Sequence, residues 1–288
     1  MENSYERRSP EQIEFETLLD RAFEKAKDTL GSGDTDMQDP EFVDLYKDQQ
    51  IQIDLQKVKD YEEIFASKPR TPEQIYHEKI GKILEALFHE QASINHWLGE
   101  NTKVSRTSRF DDVVNGVDEV VEYEEKGKAS YLALAIDATS SSHPGWKFSK
   151  IRDQLRKREL GKIKYFKAKN FVGTLKDLAK VVIGASPENL QEVIKLWVSD
   201  ENEKLKNHPI QTLFLEQAVT QLENFKSFSE REKDLKNVKV FERDLEILKP
   251  ILAQKRKAAP LTEKLQKDSV FAGIKAELVG LNYVRHTA

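Results

Sequence analysis

Apolar positions recur at helical spacing through the first hundred residues and again beyond residue 186, with strand-like runs between. The first helix is predicted to open at Ser9-Pro10-Glu11-Gln12, where Ser caps, Pro suits the first turn and Gln completes a capping box. Ile13, Phe15, Leu18, Leu19, Ala22, Phe23 and Ala26 follow at helical intervals, and Gly31-Ser32-Gly33-Asp34 ends it as a flexible link. A second helix is expected from Asp39-Pro40-Glu41 to about Phe65, carrying Phe42, Leu45, Tyr46, Ile53, Val58 and Tyr61. Thr71-Pro72-Glu73-Gln74 caps a third, whose apolar face runs through Ile75, Ile80, Ile83, Leu84, Leu87, Phe88 and Ile94 to a stop at Gly99.

The period then changes. Residues 116–123 and 131–136 read as two strands around a Lys126-Gly127-Lys128 turn, the second so continuously apolar that both its faces should be covered. A polar loop, Thr139 to Gly145, leads to a basic helix over 147–160, and 163–166 and 178–183 are two more strand candidates. Helices return from Ser186-Pro187-Glu188, over 209–228 and over 238–257, while the last thirty residues carry little pattern. The order predicts an α/β (α+β) fold, a small mixed sheet of four to five strands enclosed by helices. The segments expected are an acidic helical extension over 1–69, an α/β core over 70–185, a helical part packed on it over 186–257, and a poorly specified tail over 258–288.

Composition narrows the chemistry. With no Cys among 288 residues, disulfides, thiolate metal sites and cysteine nucleophiles are excluded. The opening residues lack an apolar signal core, and no apolar run approaches the ~20 residues that span a bilayer. A soluble, cytoplasmic protein with no membrane partner is therefore expected. The overall charge of −4 is unevenly spread: Met1 to Glu63 holds 8 Lys+Arg against 18 Asp+Glu, whereas Lys147 to Lys169 holds ten basic residues against Asp153 and Glu159.

Two acids stand out. Asp118 sits in Asn115-Gly116-Val117-Asp118 at the edge of the first strand, and Asp137 ends the most apolar one. Carboxylates on adjacent strands can share one hard divalent cation, and a buried carboxylate such as Asp137 needs a partner, a metal or solvent. The plain alternatives are a turn residue for Asp118 and a loop cap for Asp137. A helix, a hairpin with Gly-Val-Asp, a buried strand ending in Asp-x-Thr, then helix and strand together resemble the PD-(D/E)xK nuclease superfamily over roughly Pro72 to Ile183. The resemblance implies a restriction-endonuclease-like core of helix, three strands, helix and strand, with added terminal helices. It also implies metal-dependent hydrolysis of DNA phosphodiesters, with Glu85, Asp118, Asp137 and the Ala138 carbonyl holding Mg²⁺ or Mn²⁺. Gly81-Lys82-Ile83-Leu84-Glu85 is similar to the family's first helix, in which a Gly packs closely and the Glu faces the metal. The sequence departs at the family's lysine, replaced here by Thr139, which offers a hydroxyl without a charge. Lys147, Lys150 or Lys128 could supply the cation, or the fold is catalytically silent and binds nucleic acid or a protein.

Lys147, Lys150, Arg152, Arg156, Lys157, Arg158, Lys162 and Lys164 are the candidate nucleic-acid contacts, with Lys167 and Lys169 extending the run. Trp146, Phe148, Tyr165 and Phe166 lie among them, either stacking on bases or, as is commoner, buried in the core. The run could equally be a solvated face, or dock on the acidic first 63 residues as an autoinhibitory lid that deletion of 1–66 would lift. His77, His89 and His96 lack a zinc-binding spacing, and Ser140, Ser141 and Ser142 beside His143 form no nucleophile elbow. A homo-oligomer is compatible with the sequence, but nothing in it indicates one.

Overall fold

The computed structural model describes residues 9–31, 35–125, 128–168 and 171–283, and for 11–12, 124–125, 128–138 and 282–283 the backbone alone. It is a mixed α/β protein, mostly helical. Helix α1 (Pro10–Gly31) is followed by α2 (Pro40–Tyr46) and α3 (Asp48–Ser67), then by α4 (Pro72–Ile94). The single helix expected over 39–65 is split because Lys47 takes a left-handed backbone, φ 67°, which a continuous α-helix cannot hold. At the predicted Thr71 cap of α4, the Thr71 hydroxyl and the Gln74 side chain each accept from the other's backbone N–H, a reciprocal capping box.

Strand β1 (Thr102–Arg106), a π-helical turn at Asp111–Asn115, β2 (Glu119–Glu125) and β3 (Lys128–Thr139) come next. Helix α5 (Gly145–Arg156) and the hairpin β4 (Gly161–Ala168)–β5 (Phe171–Leu178) then lead to β6 (Lys180–Gly184). The strand order is β1-β2-β3-β6, antiparallel except for the parallel pair β3–β6, while β4 and β5 pair separately. The short, mostly polar β1 escaped the sequence pattern, because a strand of five residues offers too few positions for a period to register.

Helices α6 (Pro187–Val198), α7 (Asn202–Lys206), α8 (Ile210–Arg231), α9 (Leu235–Ala258), α10 (Glu263–Gln266) and α11 (Ser269–Tyr283) complete the chain. The outer edge of β6 is closed by α8. The side-chain amides of Gln217 and Gln221, one turn apart, exchange hydrogen bonds with the backbone of Gly184 and Val182 at 2.7–2.9 Å, as a neighbouring strand would.

One core draws on all four of the expected segments. Leu19 and Ala22 of α1 pack with Ile80 and Phe88 of α4, Val181 and Ile183 of β6, and Phe214 and Leu222 of α8. Val270, Ile274, Leu278 and Leu281 of α11 belong to the same cluster. Within the tail expected to be poorly specified, Ser269–Tyr283 is thus a core helix, whose largely apolar sequence hid its amphipathic period. A second cluster seats α2 and α3 on the rest: Phe42, Ile51 and Val58 against Phe110 and Tyr165. The acidic segment also docks on part of the basic run, Asp54 on Lys164 and Asp39 and Glu41 on Lys167, so removing residues 1–66 would strip both these ion pairs and the apolar cover of Phe110 and Tyr165.

Candidate functional site

The loop before β2 is built around Asp111. Its fully buried carboxylate accepts from the backbone N–H of Lys164 at 2.7 Å and of Tyr165 at 3.0 Å, from the Ser108 hydroxyl at 2.8 Å and from the Asn115 amide at 2.6 Å. Burial pushes its pKa up and these four donors pull it back. The carboxylate ties residues 108–115 to β4, and so fixes where the chain enters β2.

Asp118 is the last residue of that entry. Its carbonyl accepts from the Thr107 N–H at 3.2 Å, which carries the β1–β2 ladder one step past Arg106 and Glu119. Continuing the β2–β3 register, in which Glu119 faces Ile136, sets position 118 opposite position 137. Directly opposed residues of an antiparallel pair lie on one face. The side chains of Asp137 and Ala138 lie outside the described residues, as does that of Lys128.

On that same face stands a residue the sequence reading passed over. Lys180 of β6 pairs with Ala135 of β3, two residues from Asp137. Its side chain is 5% exposed, and its Nζ donates to the Asn115 carbonyl at 3.3 Å. A Cβ built on Gly116 would lie 2.9 Å from the Lys180 Nζ and 3.9 Å from the Lys150 Nζ, so both amines converge on the turn just ahead of Asp118. A lysine inside the apolar run Leu178–Gly184 was the available signal.

Glu85 goes elsewhere. Its carboxylate pairs with Lys82 at 2.9 Å and with the buried Arg106 at 3.5 Å. It also lies close enough to disfavour ionisation of Glu119, whose pKa is raised first by burial and held down in part by His89 Nδ1 at 3.1 Å. Side chains alternate along a strand, so Glu119 and Asp118 point to opposite faces, and Glu85 belongs with Glu119. Of the expected trio, Glu85 and Asp118 are therefore not brought together, and the side chain of Asp137 lies outside the described residues. Nor does Gly81 pack closely, since a Cβ there would meet nothing within 4 Å. The buried Thr139 hydroxyl accepts from the Ser141 N–H at 3.2 Å, holding the loop after β3. Among the described residues no group of three His, Asp or Glu could hold a metal ion.

The basic run divides. Lys147 and Lys150 lie 5.6 and 5.2 Å from the ring of Trp146. Lys164 is turned inward, bonded to the buried Asp54 and set over Tyr46, Phe110 and Tyr165, so it is not a phosphate contact. Arg152 pairs with Glu277 at 2.5 Å and Arg156 with Asp153 at 3.8 Å. Lys167 is held by Asp39 and Glu41, Lys157 is exposed, and Lys169 lies outside the described residues. Phe148, Tyr165 and Phe166 are core, leaving Trp146 exposed. Arg158 and Lys162 line a cavity of about 540 Å³ with Lys150, Lys176, Lys180 and Lys236, opposed by Asp153, Glu159 and Asp177. A second cleft, of about 1030 Å³, lies between the end of α3, the start of α4 and the loop after β3, with Trp146 and Phe65 on its walls. There Ser142 and His143 approach to 3.0 Å without a third member among the described residues to make a triad.

No described helix is long and apolar enough to cross a membrane. Comparison of the chain with protein-family models, with curated proteins and with solved structures finds no match.

Proposed function

We propose that this protein is a divergent PD-(D/E)xK-like nuclease that hydrolyses DNA phosphodiesters with a divalent metal. The observation that carries this reading is the position of Lys180, whose amine meets the Asn115–Gly116 turn on the sheet face shared by positions 118 and 137. The family's lysine sits two residues after its third-strand acid, where this chain has Thr139. A lysine on the adjoining parallel strand returns a positive charge to the same neighbourhood, and Lys150 adds a second.

The strand order supports a restriction-endonuclease-like core. Helix α4, strands β1, β2 and β3, helix α5 and strand β6 follow the family's helix, three strands, helix and strand, with the β4–β5 hairpin as an insertion. The donor chemistry suits a hard cation: Asp118 and Asp137 would hold Mg²⁺ or Mn²⁺ with the Ala138 carbonyl, while Glu85 does not fit because two cations already neutralise it on the far face. Such a metal, when bound, polarises a phosphoryl oxygen and acidifies a bound water. Lys180 and Lys150 would offset charge growing on the phosphate in the transition state, a role Thr139 cannot fill. The Asp111 clasp holds the Asp118 loop against β4, so the carboxylate need not be reorganised during reaction.

The second reading is a silent nuclease fold that binds nucleic acid, favoured by Thr139 and by the loss of Glu85 from the acidic set. Incubating the chain with single- and double-stranded DNA and Mg²⁺ or Mn²⁺ separates the two. Cleavage that D137A and K180A abolish supports catalysis. No cleavage by the wild type, or equal cleavage by D137A, sinks it.

A further inference from the structure

We infer that the DNA handled at this site is a single strand, one base of which stacks on Trp146 while its phosphates enter the lysine-lined cavity beside it; this rests on the nuclease reading above. Trp146 stands in the first turn of α5 with 60% of its surface exposed, whereas Trp97 and Trp197 are fully buried. An exposed indole with two ammonium groups within 6 Å suits a base carrying its own phosphate, the base taking the ring and the phosphate the ammonium groups. In a duplex the base faces are covered by their neighbours, whereas an unpaired strand presents them without the cost of unstacking a base pair.

The surroundings match a strand lying across α5. Trp146 lines the larger cleft and Lys150, one turn on, lines the cationic cavity, so α5 borders both spaces. Helix α3 faces both, placing exposed Phe65 at the first and exposed Tyr61 at the second. Within the cavity, Lys162 and Lys176 have no acidic partner among the described residues, so their charge is available to phosphate. Six cations against three acids give the cavity a sign opposite to that of the chain as a whole.

Binding can be read without cleavage, using the full chain in EDTA. Labelled oligothymidylate should bind at least about tenfold more tightly than a blunt duplex of equal length, and W146A should weaken it by about tenfold. Because the other two tryptophans are buried, intrinsic fluorescence should be quenched on titration, and W146F should lose that response. With Lys150, Lys162 and Lys176 each neutralising a phosphate, log K should fall against log salt with a slope of about −2, reduced to about −0.7 in K162A/K176A. Equal or tighter duplex binding, or W146A binding within twofold of wild type, overturns the inference. Trp146-dependent binding by a chain that never cuts leaves the inference standing and removes catalysis; cutting of duplex with no Trp146 response does the reverse.

Discussion

Replacing Asp111 with Asn tests whether one carboxylate organises the entry to β2. Lys164 N–H and Asn115 Nδ2 donate to Oδ1, while Tyr165 N–H and the Ser108 hydroxyl donate to Oδ2. Asn has a single acceptor oxygen. Whichever way its amide turns, one backbone N–H of β4 faces an NH₂ group and loses its partner in a fully buried place. A stranded buried donor costs about 1–3 kcal/mol, and exchanging charged for neutral acceptors weakens the bonds that survive. Relief of burying a charge works the other way, because burial already pushes this carboxyl's pKa up. The balance predicts about 2 kcal/mol of destabilisation, or roughly 4–8 °C in Tm at the ~2–4 °C per kcal/mol of a chain somewhat smaller than this one. D111A, which strands both backbone donors, should fall further. Differential scanning calorimetry of wild type, D111N, D111A and the half-buried control D112N gives the order. A D111N melting within 1 °C of wild type, or above it, would refute the clasp.

Three further outcomes follow from other parts of the fold. Burial pushes the Asp244 carboxyl up from 3.8 to about 7, with Arg243 offsetting only part of the shift. The folded chain therefore holds this proton more tightly than the unfolded chain, so stability from this group falls as pH rises from about 4 through about 7. Melting D244N beside wild type should show the mutant gaining on wild type between about pH 4 and about pH 7 and levelling off above; parallel curves from pH 4 to 8 would contradict it. A Cβ on Gly184 would lie 1.9 Å from the Thr139 carbonyl oxygen, so G184A should fail to yield folded protein, while G81A, in open space inside α4, should stabilise by about 0.5–1 kcal/mol. A cooperative wild-type-like melt for G184A would break the β3–β6 pairing described here. Asp54 is 1% exposed, and burial alone would raise its pKa, but bonds from Lys164 and Tyr165 hold it below the usual range. D54A should cost about 3–5 kcal/mol in urea unfolding by leaving Lys164 uncompensated, and a loss under 1 kcal/mol would mean α3 is not seated by this ion pair.

Much of the fold is local, and local information was legible. Helices α1, α4, α6, α8 and α9, the strand pattern over 116–136 and the Thr71 cap follow from spacing of apolar residues and from capping chemistry within a few positions. The same holds for Asp118 at the entry to β2 and for the concentration of positive charge between Lys147 and Lys169, whereas Asp137, expected to end its strand, lies two residues inside β3.

What tertiary packing decided was which face each of these groups occupies and what it meets. Glu85 lies in the kind of helix the sequence indicated, yet Arg106, twenty-one residues on, claims its carboxylate across the sheet from Asp118. Lys164 belongs to the basic run, but α3 buries it against Asp54. Lys180 becomes interesting only when β6 pairs in parallel with β3, after a crossover through a helix and a hairpin. Periodicity reports a residue's own element within a few turns. Register, sheet order and ion pairs depend on segments tens to hundreds of residues apart, whose meeting is set by the shape of the shared core rather than by neighbours in the chain.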